Sequence, residues 1–288
     1  MRRIVGLVGA LAALCAAPAW AKPPVWVAHG PNATVVLFGS VHILPQALDW
    51  QPEALRDALK GADELWFETP IDPAALLEGA RSALARGMLP PDQTLSAMLP
   101  AAIRQRLEAV AQSLNLPISQ LDRLRPWLAE LTIDQAAYAR DSAYAADGVE
   151  RQLAAVAPQA ARHAFETQQA QIAMFADAPA ADQIASLDES LHEIQDDPGA
   201  YRRLMEDWMR GDLKAIERDG VEPLRRSSPA LFKILLTDRN AAWVRALRKR
   251  LRGRGKVVVV VGVGHLIGQG GVPQLLREDG VRVDGPKP

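Results

Sequence analysis

The stretch Lys256-Val257-Val258-Val259-Val260-Val261-Gly262-Val263-Gly264-His265 decides how the chain folds. A short run dominated by valine and closed by glycine reads as a strand buried on both faces, the kind found in parallel sheets covered by helices. Its counterpart lies far upstream, in Thr34-Val35-Val36-Leu37-Phe38-Gly39-Ser40-Val41-His42. Both are apolar strands followed by Gly-x-x-His. With 20 Gly and 5 His in 288 residues, chance supplies about a third of one such match. The plain alternative is turn punctuation, with each His a polar residue at a strand end. In an open α/β sheet, however, ligands bind beyond the carboxyl ends of the strands. Two such ends, each delivering an imidazole, predict one site assembled from two distant parts of the chain.

Between these ends the pattern changes. Val25 to Ala28 reads as a short edge strand, and Pro52-Glu53 opens a helix that Gly61 closes. Glu64 to Phe67 is a further strand with Glu68 at its carboxyl end, so strand, helix and strand form a parallel βαβ unit. From Pro73 the chain is helical and rich in Ala, Leu and Arg, broken at Pro90-Pro91, Pro117 and Pro126. After a turn at Asp147-Gly148 and a helix to Val156, Arg162 to Phe165 is a short strand. Helices then run to Leu251, the last starting at Pro229 with an apolar face. The expected class is α/β: a mixed, largely parallel central sheet flanked by helices, with a large helical insertion at roughly 73–160 and further helices over 167–251.

The N-terminus reads as a Sec-type leader. Arg2-Arg3, an apolar run from Ile4 to Ala17 and Ala19-Trp20-Ala21 supply its three parts, so residues 1–21 are expected to be removed and the folded part to span 22–288. The apolar run is short for a membrane span, and none follows it. Cys15, inside the leader and preceded by Leu14, is the only cysteine. The exported chain therefore has no disulfide and no thiol chemistry, and a periplasmic or secreted location fits. Without Arg2 and Arg3 the 33 basic residues fall to 31 against 34 acidic, about −3. With no basic patch, nucleic acid is not an expected partner.

His42 and His265 lead the candidate site residues, as metal ligands or general bases. Gly39, Gly262 and Gly264 allow close backbone approach to a ligand. Glu68, as ligand or activator of water, is the natural third member. Glu166, Arg239 and Asn240 follow: an acid after a strand, and a polar pair in an apolar helix with a fork suited to a carboxylate or oxyanion. The alternative for Glu68 is a solvated loop residue, for Glu166 placement at a helix N-terminus favoured by the macrodipole, and for Arg239 and Asn240 a solvated helix face. His29, His163 and His192 have no such setting. No Gly-x-Ser-x-Gly elbow, Walker loop, dinucleotide fingerprint or His-Glu-x-x-His is present.

Taken together, these blocks resemble the TraB/GumN family, which includes the pheromone-shutdown proteins and the Tiki proteases. The blocks are Val36 to His42, Leu65-Trp66-Phe67-Glu68, Leu124-Arg125-Pro126-Trp127, Asp147-Gly148-Val149-Glu150, Phe165-Glu166-Thr167 with Gln168 and Gln171, Trp208 to Leu213, Asp238-Arg239-Asn240 and Val261 to Gly268. Glu150 stands where the family pattern has Asp. The resemblance implies a fold like that of the erythromycin esterases and haem-binding ChaN proteins, with both Gly-x-x-His motifs on one cleft. Through the Tiki relatives it implies metal-dependent proteolysis. The expected function is an exported hydrolase acting on a peptide or other small substrate. His42, His265 and Glu68 would hold a divalent metal (Mn, Co or Zn), while Arg239 and Asn240 steady the substrate. The alternatives are a peptide- or haem-binding protein using the same cleft, and a metal-free esterase.

Overall fold

The computed structural model describes residues 22–45, 48–144, 148–157 and 159–287. The leader with Cys15, and Asp147 of the expected turn, lie outside these residues. Eight strands occur among the described residues: β1 (Val25–His29), β2 (Ala33–Ser40), β3 (Leu44–Pro45), β4 (Glu64–Phe67), β5 (Ala143–Tyr144), β6 (Ala161–Ala164), β7 (Gly255–Gly262) and β8 (Arg282–Asp284). Val257 to Val261 give β7 no polar face, and all five are buried. That strand takes the most enclosed position, inside a six-stranded sheet of order β6-β4-β7-β2-β1-β8. The β6–β4, β4–β7 and β7–β2 pairs are parallel, while β1 runs antiparallel to β2 and β8. This is the mixed, largely parallel α/β sheet that the sequence predicts.

Two local expectations change. Strands β2 and β4 are parallel and joined by the helix Glu53–Lys60, yet they are not neighbours. The C-terminal β7 inserts between them, because a strand apolar on both faces is stable only with a partner on each side. Strand β1, expected at the edge, is covered by β8, whose exposed Arg282 and Asp284 suit an outermost position. The consequence for function is direct: the carboxyl ends of β2, β7, β4 and β6 stand in one row.

The helical part breaks where proline dictates, into Pro73–Gly87, Leu95–Met98, Ala101–Ser113, Ile118–Leu121 and Pro126–Ala139. Pro126 lies in the first turn of its helix, where its missing N–H costs nothing. All of these helices except Pro73–Gly87 share a core of their own with Ala180–Asp196, built on Leu95, Leu107, Val110, Leu121, Leu187 and Leu191. The segment Pro229 to Leu251 is not one uniform α-helix. Between Pro229–Phe232 and Asp238–Leu251 the turn Lys233–Thr237 widens to a π-helix, as does Glu217–Val221. Apolar spacing does not reveal such turns, which are common beside functional sites. Among the described residues no helix is long and apolar enough to cross a membrane.

Candidate active site

Each parallel strand end delivers one candidate side chain: His42 after β2, His265 after β7, Glu68 after β4 and Glu166 after β6. The backbone ladder continues past the last two strands, with Glu166 N–H donating to Glu68 O at 2.9 Å. The two carboxylates are thereby set side by side, although they lie far apart in sequence.

Arg239 ties them together from the helix Asp238–Leu251. Its Nε donates to both Glu166 oxygens at 2.9 and 3.1 Å, and its Nη2 donates to Glu68 Oε2 at 2.5 Å. Nη1 gives one hydrogen to Leu235 O and the other to His265 Nε2, each at 3.0 Å. The guanidinium, 7% exposed, also lies over the Trp243 ring at 4.7 Å. Trp243 Nε1 in turn donates to Glu166 Oε1 at 2.9 Å. Most of Arg239's fork is therefore spent inside the protein. Leu235 sits in the π-turn that precedes the helix, so the wide turn places a carbonyl on this network.

His265 is locked on both nitrogens. Asn240 Nδ2 donates to Gly270 O at 2.9 Å, which turns Asn240 Oδ1 toward His265 Nδ1 at 2.6 Å. Nδ1 must then carry the proton, and Nε2 accepts from Arg239. Burial, with Trp243 at 4.4 Å, pushes the ring down to about 4 despite the nearby Glu68 charge. Glu68 is satisfied as well. Its Oε1 accepts Gly262 N–H at 2.7 Å, and its Oε2 accepts Gln171 Nε2 at 3.0 Å in addition to Arg239. Burial would raise this carboxyl, but His265, Arg239, His42 and the Gly262 amide overcome it and hold the group well below the usual carboxylate range.

His42 differs from its counterpart. Its Nδ1 pairs with Glu150 Oε1 at 2.8 Å, and Ser40 Oγ donates to the same oxygen at 2.5 Å. Its Nε2 faces the cleft, 4.0 Å from Glu68 Oε1. The Glu150 carboxylate raises this imidazole toward about 9, against a smaller desolvation effect. The side chain is 60% exposed, so water screens the pair. By linkage, the stability His42 contributes is complete below its ordinary 6.5 and is lost as pH rises through its folded value. For His265 the sign reverses, and stability is lost as pH falls from 6.5 toward about 4. Histidine NMR titration of chelator-treated protein is expected to place the two rings on opposite sides of 6.5, with Glu150→Gln bringing His42 back down. Two rings titrating together near that value would refute the arrangement.

The glycines divide by role. A Cβ on Gly262 would lie 3.2 Å from Glu68 Oε1, 3.5 Å from His42 Nε2 and 3.7 Å from His265 Cδ2, so its missing side chain opens a space among the three groups. Gly39 instead lets β2 pack against Val263, whose Cα and Cγ2 a Cβ would approach to 3.0 and 2.9 Å. Gly264 borders the cleft beside Val221 and Leu236. His29, His163 and His192 stay outside: His29 meets Asp284 at 2.8 Å, His163 lies against Trp66, and His192 meets Asp196 at 3.3 Å.

Glu150 and Gln171 are the functional neighbours that sequence reading undervalued. Each appears only inside a motif block, Glu150 as a departure from Asp. Its acid, one residue into a helix and behind a strand-end His, was the available signal.

As donors for a divalent ion, the residues fit in part. Donors about 2.1 Å from a tetrahedral ion lie about 3.4 Å apart, so His42 Nε2 and Glu68 Oε1, at 4.0 Å, have to close by about half an ångström to share one ion above Gly262. His265 Nε2 lies 3.7 Å from Glu68 Oε1, but its lone pair is taken by Arg239. In keeping with that, no group of three His, Cys, Asp or Glu donors is arranged around one ion among the described residues.

The model of the TraB/PrgY/gumN family matches residues 24–285. The chain belongs to the TraB/PrgY/gumN family. Among curated relatives of this TraB/PrgY/gumN chain, the uncharacterized protein YbaP of Escherichia coli (strain K12) is 27% identical over 246 residues, covering 84% of this chain and 87% of YbaP. YbaP of Shigella flexneri matches to the same extent. No solved structure matches significantly. Thus the TraB/PrgY/gumN assignment covers all four strand ends, and both Gly-x-x-His motifs fall within it.

Proposed function

We propose that the chain is an exported hydrolase, cleaving a peptide or other acyl substrate at the space above Gly262, with a divalent cation as cofactor. The observation that carries this reading is the space itself, bounded by His42 Nε2 and Glu68 Oε1 and kept open by a glycine. Charge supports it. Glu68, Glu150 and Glu166 outnumber Arg239, leaving a net of −2 with His42 neutral and −1 with it protonated. Such a cluster favours an added positive charge next to His42.

His42 and Glu68 would hold the ion. When bound, a divalent ion supplies Lewis acidity, polarising a carbonyl and lowering the pKa of water. The other roles belong to side chains. Glu150 and Ser40 fix the His42 ring so that Nε2 faces the substrate, as second partners of ligating histidines commonly do. Glu68, held ionised by three donors, supplies charge rather than a proton-accepting site. Arg239, His265, Asn240 and Glu166 form the rigid frame that positions Glu68. Gln171 and the cleft wall orient the substrate.

The test is hydrolysis of a peptide pool by the purified exported chain with and without Mn, Co or Zn. Cleavage should need the ion, stop with chelator and fall by about 100-fold or more in His42→Ala. Unchanged activity in the His42→Ala, His265→Ala double variant would overturn the mechanism. Chelator-insensitive cleavage would point to metal-free esterase chemistry, and peptide retention without cleavage to capture alone. Fractionation and N-terminal sequencing should find a periplasmic or secreted product beginning at Lys22.

A further inference from the structure

A cavity of about 260 Å³ lies beside the cleft, where the helices Pro126–Ala139, Gln168–Ala176 and Ala180–Asp196 meet the π-turn Glu217–Val221. It adjoins the site, since Leu131, Phe175 and Leu235 border both spaces. The step between them is short. Gln171 donates to Glu68, and Phe175 follows four residues later in the same helix, about 6 Å along its axis. On the other wall, Leu235 offers its carbonyl to Arg239.

The shared wall is apolar and the chamber beyond it is acidic. Glu130, Glu189, Glu193 and Asp219 line it, and among the described residues no Lys, Arg or His does. Asp219 is committed to Arg218. Glu130 is held by Ser186 and Ser190 at 2.7 and 3.2 Å, so a carboxylate oxygen is fixed at the wall. Burial lifts Glu130 to about 7, more than those hydroxyls lower it, and also raises Glu193. Carboxylates in this state gain from an incoming cation, which offsets both desolvation and their mutual repulsion.

We propose that this cavity is a subsite for a lysine or arginine side chain of a peptide whose backbone lies in the cleft. The inference rests on the peptide-cleavage reading and gives it a substrate class. An apolar wall ending in carboxylates matches such a side chain in order: methylenes against Leu131, Phe175 and Leu235, then the charged head against Glu130 and Glu193.

Two fluorescein-labelled pentapeptides, identical except for lysine or norleucine at the centre, test this on the full exported chain supplied with Mn. Binding is read by anisotropy and cleavage by mass spectrometry. The lysine peptide should bind at least about tenfold more tightly. Glu130→Gln combined with Glu193→Gln should erase that preference while leaving norleucine affinity unchanged, which also reports an intact fold. Equal affinity, no binding of either peptide, or a preference that survives the double variant would overturn the proposal. The same pair on His42→Ala separates the two readings. A lysine preference without cleavage in the wild type would retain the subsite and sink hydrolysis. Equal cleavage of both peptides would do the reverse.

Discussion

Arg239→Met is expected to lower folding stability by about 3–5 kcal/mol, the range for removing one partner from a buried ionic network. The guanidinium is the common partner of Glu68, Glu166 and His265; its contacts with Glu68 and His265 are buried and those with Glu166 part-buried. Methionine keeps much of the volume and the contact with Trp243 but leaves two carboxylates without their cation. The loss should depend on pH, with a definite sign. In the wild type Glu68 is held below its ordinary 4.5, so its contribution is present above that value and fades as pH falls. In the variant burial dominates and Glu68 rises, so the penalty is largest near neutral pH and shrinks in acid. Urea unfolding at pH 7 and pH 4 should show the two proteins converging. Arg239→Lys should recover only part of the loss, because an ammonium cannot span Glu166, Glu68 and His265 as a planar fork does. Adding Glu68→Gln to Arg239→Met should restore part of the stability if the network is the cause, the remainder belonging to Glu166. A pH-independent loss below about 1 kcal/mol would place Arg239 outside the energetic core of the site.

That network also marks where sequence reading stopped. The strands around it were legible because valine-rich runs closed by glycine have few alternatives, and Glu64 to Phe67 ended where the pattern placed it. The proline breaks and Gly61 were legible for the same local reason. The row of strand ends was legible only in part. Pairing the two Gly-x-x-His motifs brought His42 and His265 together, but nothing local says that β7 enters between β2 and β4. Arg239 was singled out for its fork, yet its partners Glu166 and Glu68 are fixed by tertiary contacts 73 and 171 residues away in sequence. Its donors consequently face inward, toward the frame, where the sequence suggested substrate. Glu150 was harder still, since its reach to Ser40 and His42 crosses about a hundred residues of intervening chain. The π-turn that presents Leu235 has no periodic signature at all.

The two motif glycines, alike in their spacing to a histidine, should separate in experiment. Gly262 has φ −49° and ψ 135°, a conformation any L-residue adopts, so alanine there strains no backbone. What it meets is the site: a methyl 3.2 Å from Glu68 Oε1 and 3.5 Å from His42 Nε2, in the space where a reacting atom or an ion would sit. Gly262→Ala should therefore cost about 1 kcal/mol of stability at most and reduce hydrolysis by about 100-fold or more, since a displacement of roughly 1 Å at a reacting centre has that effect. Gly262→Val should abolish it. Gly39→Ala has the opposite profile. Its methyl would press on Val263 at 2.9 to 3.0 Å, including backbone, and overpacking of this kind costs about 1–3 kcal/mol. Activity per folded molecule should fall less than in Gly262→Ala, because no site atom is approached directly. Melting curves and steady-state kinetics on both variants decide the matter. If Gly262→Ala keeps full activity, the reacting position is not above Gly262, and the cleft must be used from the Glu150 side of His42. If Gly39→Ala is the more damaging to chemistry, the His265 turn, held against Gly39 through Val263, moves with catalytic consequence and is more than a frame.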